Sequence, residues 1–79
     1  QSAGAQKLAE WFKKNPTWTG SERELRQRLR WFNKLPLQQR NSILEELISD
    51  EIIVMTAKKA ANGREVFYYA YNATAEKAS

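Results

Sequence analysis

After Asp50-Glu51 the hydrophobic period of this chain changes, and the change divides its 79 residues into two kinds of structure. Up to Ser49, apolar residues recur at three- and four-residue spacing, the period of helices with one buried face. From Ile52 to Tyr71, two runs rich in β-branched and aromatic residues, "IIVMT" and "VFYYAY", flank Asn62-Gly63. Asn-Gly between strand-like runs is a strong hairpin signal, because a type I′ turn needs positive φ at both central residues. A two-residue turn pairs Val54 with Tyr71, Thr56 with Tyr69 and Lys58 with Phe67. The other face then carries Met55, Ala57, Lys59, Val66, Tyr68 and Ala70. A longer loop within 58–64 changes that register. Either way, aromatics gather at the base of the hairpin, while Lys58, Lys59 and Arg64 gather at its tip.

The first 49 residues read as three helices. In "AQKLAEWFKK", residues 5–14, Ala5, Leu8, Ala9 and Phe12 share one face, and Asn15-Pro16 stops the helix. "TWT" at 17–19 is either a one-bridge strand or a loop whose Trp18 fills the core. Ser21 with Glu24 is a capping box, which predicts a second helix running through Phe32 with Leu25, Leu29 and Phe32 inward. Arg23, Arg26 and Arg30 form a stripe beside that face, Arg28 lies on the other flank, and Trp31 falls outside. Pro36 suits the first turn of a third helix over 37–49. There Ile43, Leu44, Leu47 and Ile48 face inward, as does the stem of Arg40. Gln38, Gln39, Ser42, Glu45, Glu46 and Ser49 face out. The expected fold is mainly α with a small β-hairpin: a three-helix bundle, the hairpin against one edge, one domain over 1–72 and a disordered tail over 73–79.

With no cysteine and no histidine, the chain lacks a disulfide framework, a thiolate metal site and the commonest general base. Its acids cluster as "EE" and "DE", with no nucleophile–base pair and no glycine-rich phosphate loop, so neither catalysis nor a cofactor is expected. No apolar run approaches the roughly 20 residues that span a bilayer, and no signal peptide is visible. A cytoplasmic protein without a membrane partner is expected. Starting at Gln1 rather than Met, the chain reads as an excised domain or processed fragment. The net charge of +4 is unevenly laid out. Residues 21–40 hold six bases against two acids, residues 41–51 four acids and no base, and residues 52–65 three bases against one acid. That is a polarised surface with basic zones around an acidic stripe.

The order of elements, with "SERELRQRL" as a capped second helix, "ILEELISDEIIV" as a third helix entering a strand and "NGREVFYYAY" as a returning strand, resembles the winged-helix branch of helix-turn-helix domains. The resemblance covers roughly residues 5–72. It is nearest to the small winged helices at the ends of phage, plasmid and mobile-element primase–helicases and replication initiators. Asp50 and Glu51 stand where that family often has a glycine between helix and wing. The resemblance implies a third helix in the DNA major groove and a wing on flanking phosphates. By position, Gln38, Gln39, Asn41 and Ser42 come near bases, Lys58, Lys59 and Arg64 are wing contacts, and Arg23 and Arg26 meet backbone phosphates.

Two functions follow from these residues. The first is a duplex-DNA-binding module of a larger replication or regulatory protein, entering the groove by the N-terminal part of the third helix, where the helix dipole favours an anion. The second is a protein-interaction winged helix docking through Trp31 and the acidic Glu45–Glu46 face, with another domain of the parent protein or a separate protein as partner. Binding of single strands or RNA through Tyr68 and its neighbours is a third alternative.

Overall fold

The computed structural model describes residues 2–73. Helix α1, Ala3–Lys14, is capped by the Ser2 hydroxyl, which accepts from the Ala5 amide, and ends at Asn15. Its Ala5, Leu8, Ala9 and Phe12 are buried, the face the sequence predicts. Trp18 follows and packs edge-on against Trp11 and Phe12 at ring separations of 5.1 and 5.9 Å.

The extended piece before the second helix is a true strand. Thr19–Ser21, β1, pairs antiparallel with the last strand, so the sheet has three strands rather than a hairpin alone. Gly20 makes this possible. A Cβ there would sit 2.7 Å from both the Trp18 ring and the Glu24 carboxylate.

Helix α2, Glu22–Arg28, starts at the expected cap, the Ser21 hydroxyl accepting from the Glu24 amide at 3.3 Å. It does not run through Phe32. Leu29 is extended (φ −119°, ψ 101°), and a separate four-residue helix α3, Arg30–Asn33, follows. The bundle therefore has four helices. No glycine or proline causes the break; burial does. The bend swings Trp31, which a continuous helix would leave outside, edge-on against Phe32 at 5.7 Å and beneath Lys7 of α1, whose Nζ lies 4.7 Å from the indole centre. Two aromatic rings against the core outweigh one interrupted helical turn.

Helix α4, Leu37–Ser49, buries Ile43, Leu44 and Leu47 and packs on α1, where Gly4 lets the backbone approach Ile43. Its exit is a Schellman motif. The Ile52 amide donates to the Leu47 carbonyl, the Glu51 amide donates to that of Ile48, and Glu51 itself takes the left-handed conformation at φ 60°. A glutamate thus performs the turn usually left to glycine.

Strands β2, Ile53–Lys59, and β3, Glu65–Tyr71, form the hairpin, with β3 central in the order β1-β3-β2. Its register differs by one residue from that of a two-residue turn. Ile53 pairs with Tyr71, Met55 with Tyr69, Ala57 with Phe67 and Lys59 with Glu65. The reason is the loop. Only Gly63 (φ 83°) has positive φ there, and its amide donates to Ala60, while the Ala60 amide donates to Arg64. This is a three-residue turn closed by a left-handed glycine, not type I′. The shift puts Ile53, Met55, Phe67, Tyr69 and Tyr71 together on the bundle side.

One core joins these layers, with Phe12, Phe32, Leu8, Leu25, Leu47 and Ile53 wholly enclosed and Tyr69 buried beside them. Each of those side chains contributes on the order of 1.5–3 kcal/mol. Leu29, Ile48, Trp11, Trp18, Trp31 and Tyr71 pack around it, partly buried. The hairpin leaves the core quickly: after Ile53 every residue of β2 is exposed. The molecule is accordingly elongated, 40 × 28 × 19 Å. The expected tail over 73–79 lies outside the described residues except for Ala73.

Candidate nucleic-acid interface

The outer face of α4 is divided by charge. Gln38, Gln39, Asn41 and Ser42, in its first two turns, are all exposed. Pro36 supplies no side-chain cap at the positive end of the α4 dipole. Of the acids further along, only Glu45 stands out on this face. Glu46 is turned toward α1, where the Ser2 amide and hydroxyl donate to its carboxylate at 3.2 and 3.1 Å. Those bonds place its negative charge at the N-terminus of another helix, where it offsets that dipole.

Arg23 and Arg26 lie in the first turns of α2, in a depression shared with Glu65, Val66 and Phe67 of β3. Arg23 is exposed. Arg26 is half-buried, its Nε 3.4 Å from Glu22 Oε1, close enough for an ion pair but not aligned for a hydrogen bond. Arg26 thus pairs within α2. Glu22 also receives the Nε of Arg40 at 3.1 Å, and Arg40 Nη1 donates to the Leu35 carbonyl. Arg40 is thus packed, as its helical position predicts, and ties the start of α4 to the start of α2. Tyr69 lies beneath this cluster. Burial, and secondarily the charge of Glu22, push its phenol above the ordinary value of 10.0.

At the hairpin tip Lys58, Lys59 and Arg64 are exposed. They are not equivalent. Lys59 stands opposite Glu65, and Lys58 lies 5.5 Å from the centre of the Tyr68 ring on the outer face. Arg64 lies in the loop, its amide bonded to the Asn62 side chain.

Between α4 and the hairpin runs a groove of about 490 Å³ lined by Asn41, Glu45, Ile48, Met55, Phe67 and Tyr69, among others. Two large apolar side chains stay open in it, Met55 at 46% and Phe67 at 41% exposure. Phe67 is therefore only partly enclosed. Neither residue stood out as a site in the sequence, because a two-residue turn puts them on opposite faces of the hairpin. The structure brings Asn41 to this groove, while Gln38, Gln39 and Ser42 line a second depression toward Ser2 and Gly4. Trp31, half-buried against Phe32 and Lys7, lies apart from both. Among the described residues no group of acids could hold a metal ion, and no helix is long and apolar enough to cross a membrane.

Comparison with protein-family models, curated proteins and solved structures gives no match for this chain.

Proposed function

We propose that this domain is a non-catalytic duplex-DNA-binding module, a winged helix working within a larger replication or regulatory protein. The observation that carries the reading is the first half of α4. Four uncharged hydrogen-bonding side chains, Gln38, Gln39, Asn41 and Ser42, stand exposed on a helix start without a side-chain cap, and Asn41 shares a groove with Met55 and Phe67 of the hairpin. Glutamine and asparagine suit adenine edges by bidentate geometry, and serine accepts any base. The element order, helix–strand–helix–helix–hairpin with one short extra helix, agrees with the family resemblance.

In this reading α4 enters the groove by its N-terminal turns and lifts away before Glu45 meets phosphate. Lys58, Lys59 and Arg64 contact backbone from the hairpin tip and Arg23 from the start of α2, setting register without reading sequence. Arg26, held by Glu22, contributes less. The protein-docking alternative through Trp31, Glu45 and Glu46 is weaker, since Trp31 is half-buried and Glu46 already holds the α1 terminus.

The test is an anisotropy titration against labelled duplex, single strand and RNA at low and near-physiological salt. Duplex is expected to bind most tightly and to weaken steeply with salt. Equal or tighter binding of single strand or RNA would contradict the duplex reading.

A further inference from the structure

The free edge of β2 carries an inference that needs no nucleic acid. β2 lies at the border of the sheet, with β3 as its only strand neighbour among the described residues. Its pairing with β3 is unbroken from Ile53 to Lys59, with no bulge and no proline, and Ile53 to Ala57 carry no charge. Bulges, prolines and charges are the devices that usually blunt an edge. Two of its apolar side chains, Val54 and Met55, are 42% and 46% exposed.

The hydrogen-bond phase of this edge can be derived. In an antiparallel pair, residues alternate between bonding their neighbour and pointing their amide and carbonyl away. The Ala60 amide donates to Arg64 at one end of the ladder, and the Asn72 amide donates to Ile52 at the other. Even-numbered residues of β2 therefore bond β3. Met55, Ala57 and Lys59 present their amides and carbonyls to the open side, while Ile53, 1% exposed, is covered.

We infer that this edge pairs antiparallel with β2 of a second copy of this chain, about a two-fold axis at Thr56. Met55 then faces Ala57 of the second copy and Ala57 faces its Met55, so these two open residues of each strand are satisfied by about four backbone hydrogen bonds. The two sheets become one of six strands. Charge favours this direction. The hairpin root carries Asp50 and Glu51 and its tip carries Lys58, Lys59 and Arg64. Antiparallel pairing sets each basic tip beside the other copy's acidic root, with Lys59 diagonal to Glu51, whereas a parallel arrangement stacks like on like. The inference goes beyond the DNA reading and stands without it.

Sedimentation equilibrium of the full chain from micromolar to millimolar concentration tests it. The mass is expected to rise from 9.2 kDa toward twice that value. In parallel, amide exchange at Met55 and Ala57 slows with concentration, while Val54, Thr56 and Lys58 are protected throughout. Ala57→Pro removes only an outward amide and is expected to give a folded monomer. Because the chain has no cysteine, Thr56→Cys supplies an independent arm. At the axis the two Cα atoms are about 4.5 Å apart, within disulfide reach, so mild oxidation yields a covalent dimer. Thr19→Cys, on β1, does not. A mass that stays monomeric, a dimer that survives Ala57→Pro with the Met55 amide still exchanging, or cross-linking no faster at Thr56 than at Thr19 would each overturn the inference.

Discussion

Replacing Glu51 with glycine is expected to stabilise the domain. Glu51 holds φ 60° at the exit of α4, and among the described residues its hydrogen bonds are made by the backbone. Its amide donates to Ile48, and its carbonyl accepts from the Asn72 side chain at 3.0 Å. A glycine keeps all of these. The left-handed conformation costs an L-residue roughly 1–2 kcal/mol. Glycine returns about 0.4–1 kcal/mol of that through the greater freedom of its unfolded chain. The net gain is about 0.5–1 kcal/mol, which for a domain of this size raises Tm by roughly 4–8 °C per kcal/mol. Glu51→Ala separates strain from charge, since alanine keeps the strain and loses only the carboxylate, and it is expected to match the parent. Urea unfolding at low protein concentration measures both variants. If Glu51→Gly is less stable than Glu51→Ala, the backbone at the helix exit is not strained and residue 51 does not make a left-handed turn.

Three further outcomes follow from the packing. A double-mutant cycle of Glu22→Ala with Arg40→Ala is expected to give a coupling of about 1–2 kcal/mol, because Arg40 is only 14% exposed, whereas Glu22 with Arg26 gives about 0.5 kcal/mol or less. Equal couplings would show that Glu22 does not join α2 to α4. Leu47→Ala is expected to cost about 2–5 kcal/mol, and Phe67→Ala, with its ring partly in solvent, about 1–2 kcal/mol; denaturant midpoints that rank them the other way would put Phe67 in the core. Tyr69 holds its proton more tightly in the folded state, so its contribution is intact below the unfolded tyrosine pKa and is lost as pH rises from there through the folded value. Spectrophotometric titration is expected to show a late-ionising step that disappears in Tyr69→Phe; a late step that persists in that variant would place Tyr69 in water.

What the sequence disclosed, and what it withheld, follows the reach of each signal. The α1 face, the Ser21 cap and the inward residues of α4 are local patterns with one physical solution, and they appear as read. Asn62-Gly63 marked the hairpin correctly but not its register. Asparagine-glycine fits both a type I′ turn and a three-residue turn with glycine last, and the choice rests on which strand face the bundle covers. The break at Leu29 has no local signal, because it is driven by Trp31 and Phe32 meeting α1 and the core. β1 was half legible: Thr19 favours a strand, but the tolerance of Gly20 for the Trp18 ring depends on tertiary packing. Within the candidate interface, the exposed polar residues of α4 and the basic tip were readable one by one. The Met55–Phe67 groove was not, since it exists only in the correct register. The Glu22–Arg40 tie joins residues 18 apart and depends on how two helices meet.

The central claim is that the hairpin tip meets phosphate, and the salt dependence of duplex binding by the Lys58→Ala, Lys59→Ala, Arg64→Ala triple variant tests it most directly. All three side chains are exposed, so the variant is expected to unfold like the parent. It is expected to bind unrelated duplexes more weakly by a similar factor, with a log–log salt slope shallower by up to about 0.9 for each phosphate that the variant no longer neutralises. A variant that binds as tightly as the parent, with an unchanged slope, would contradict the account.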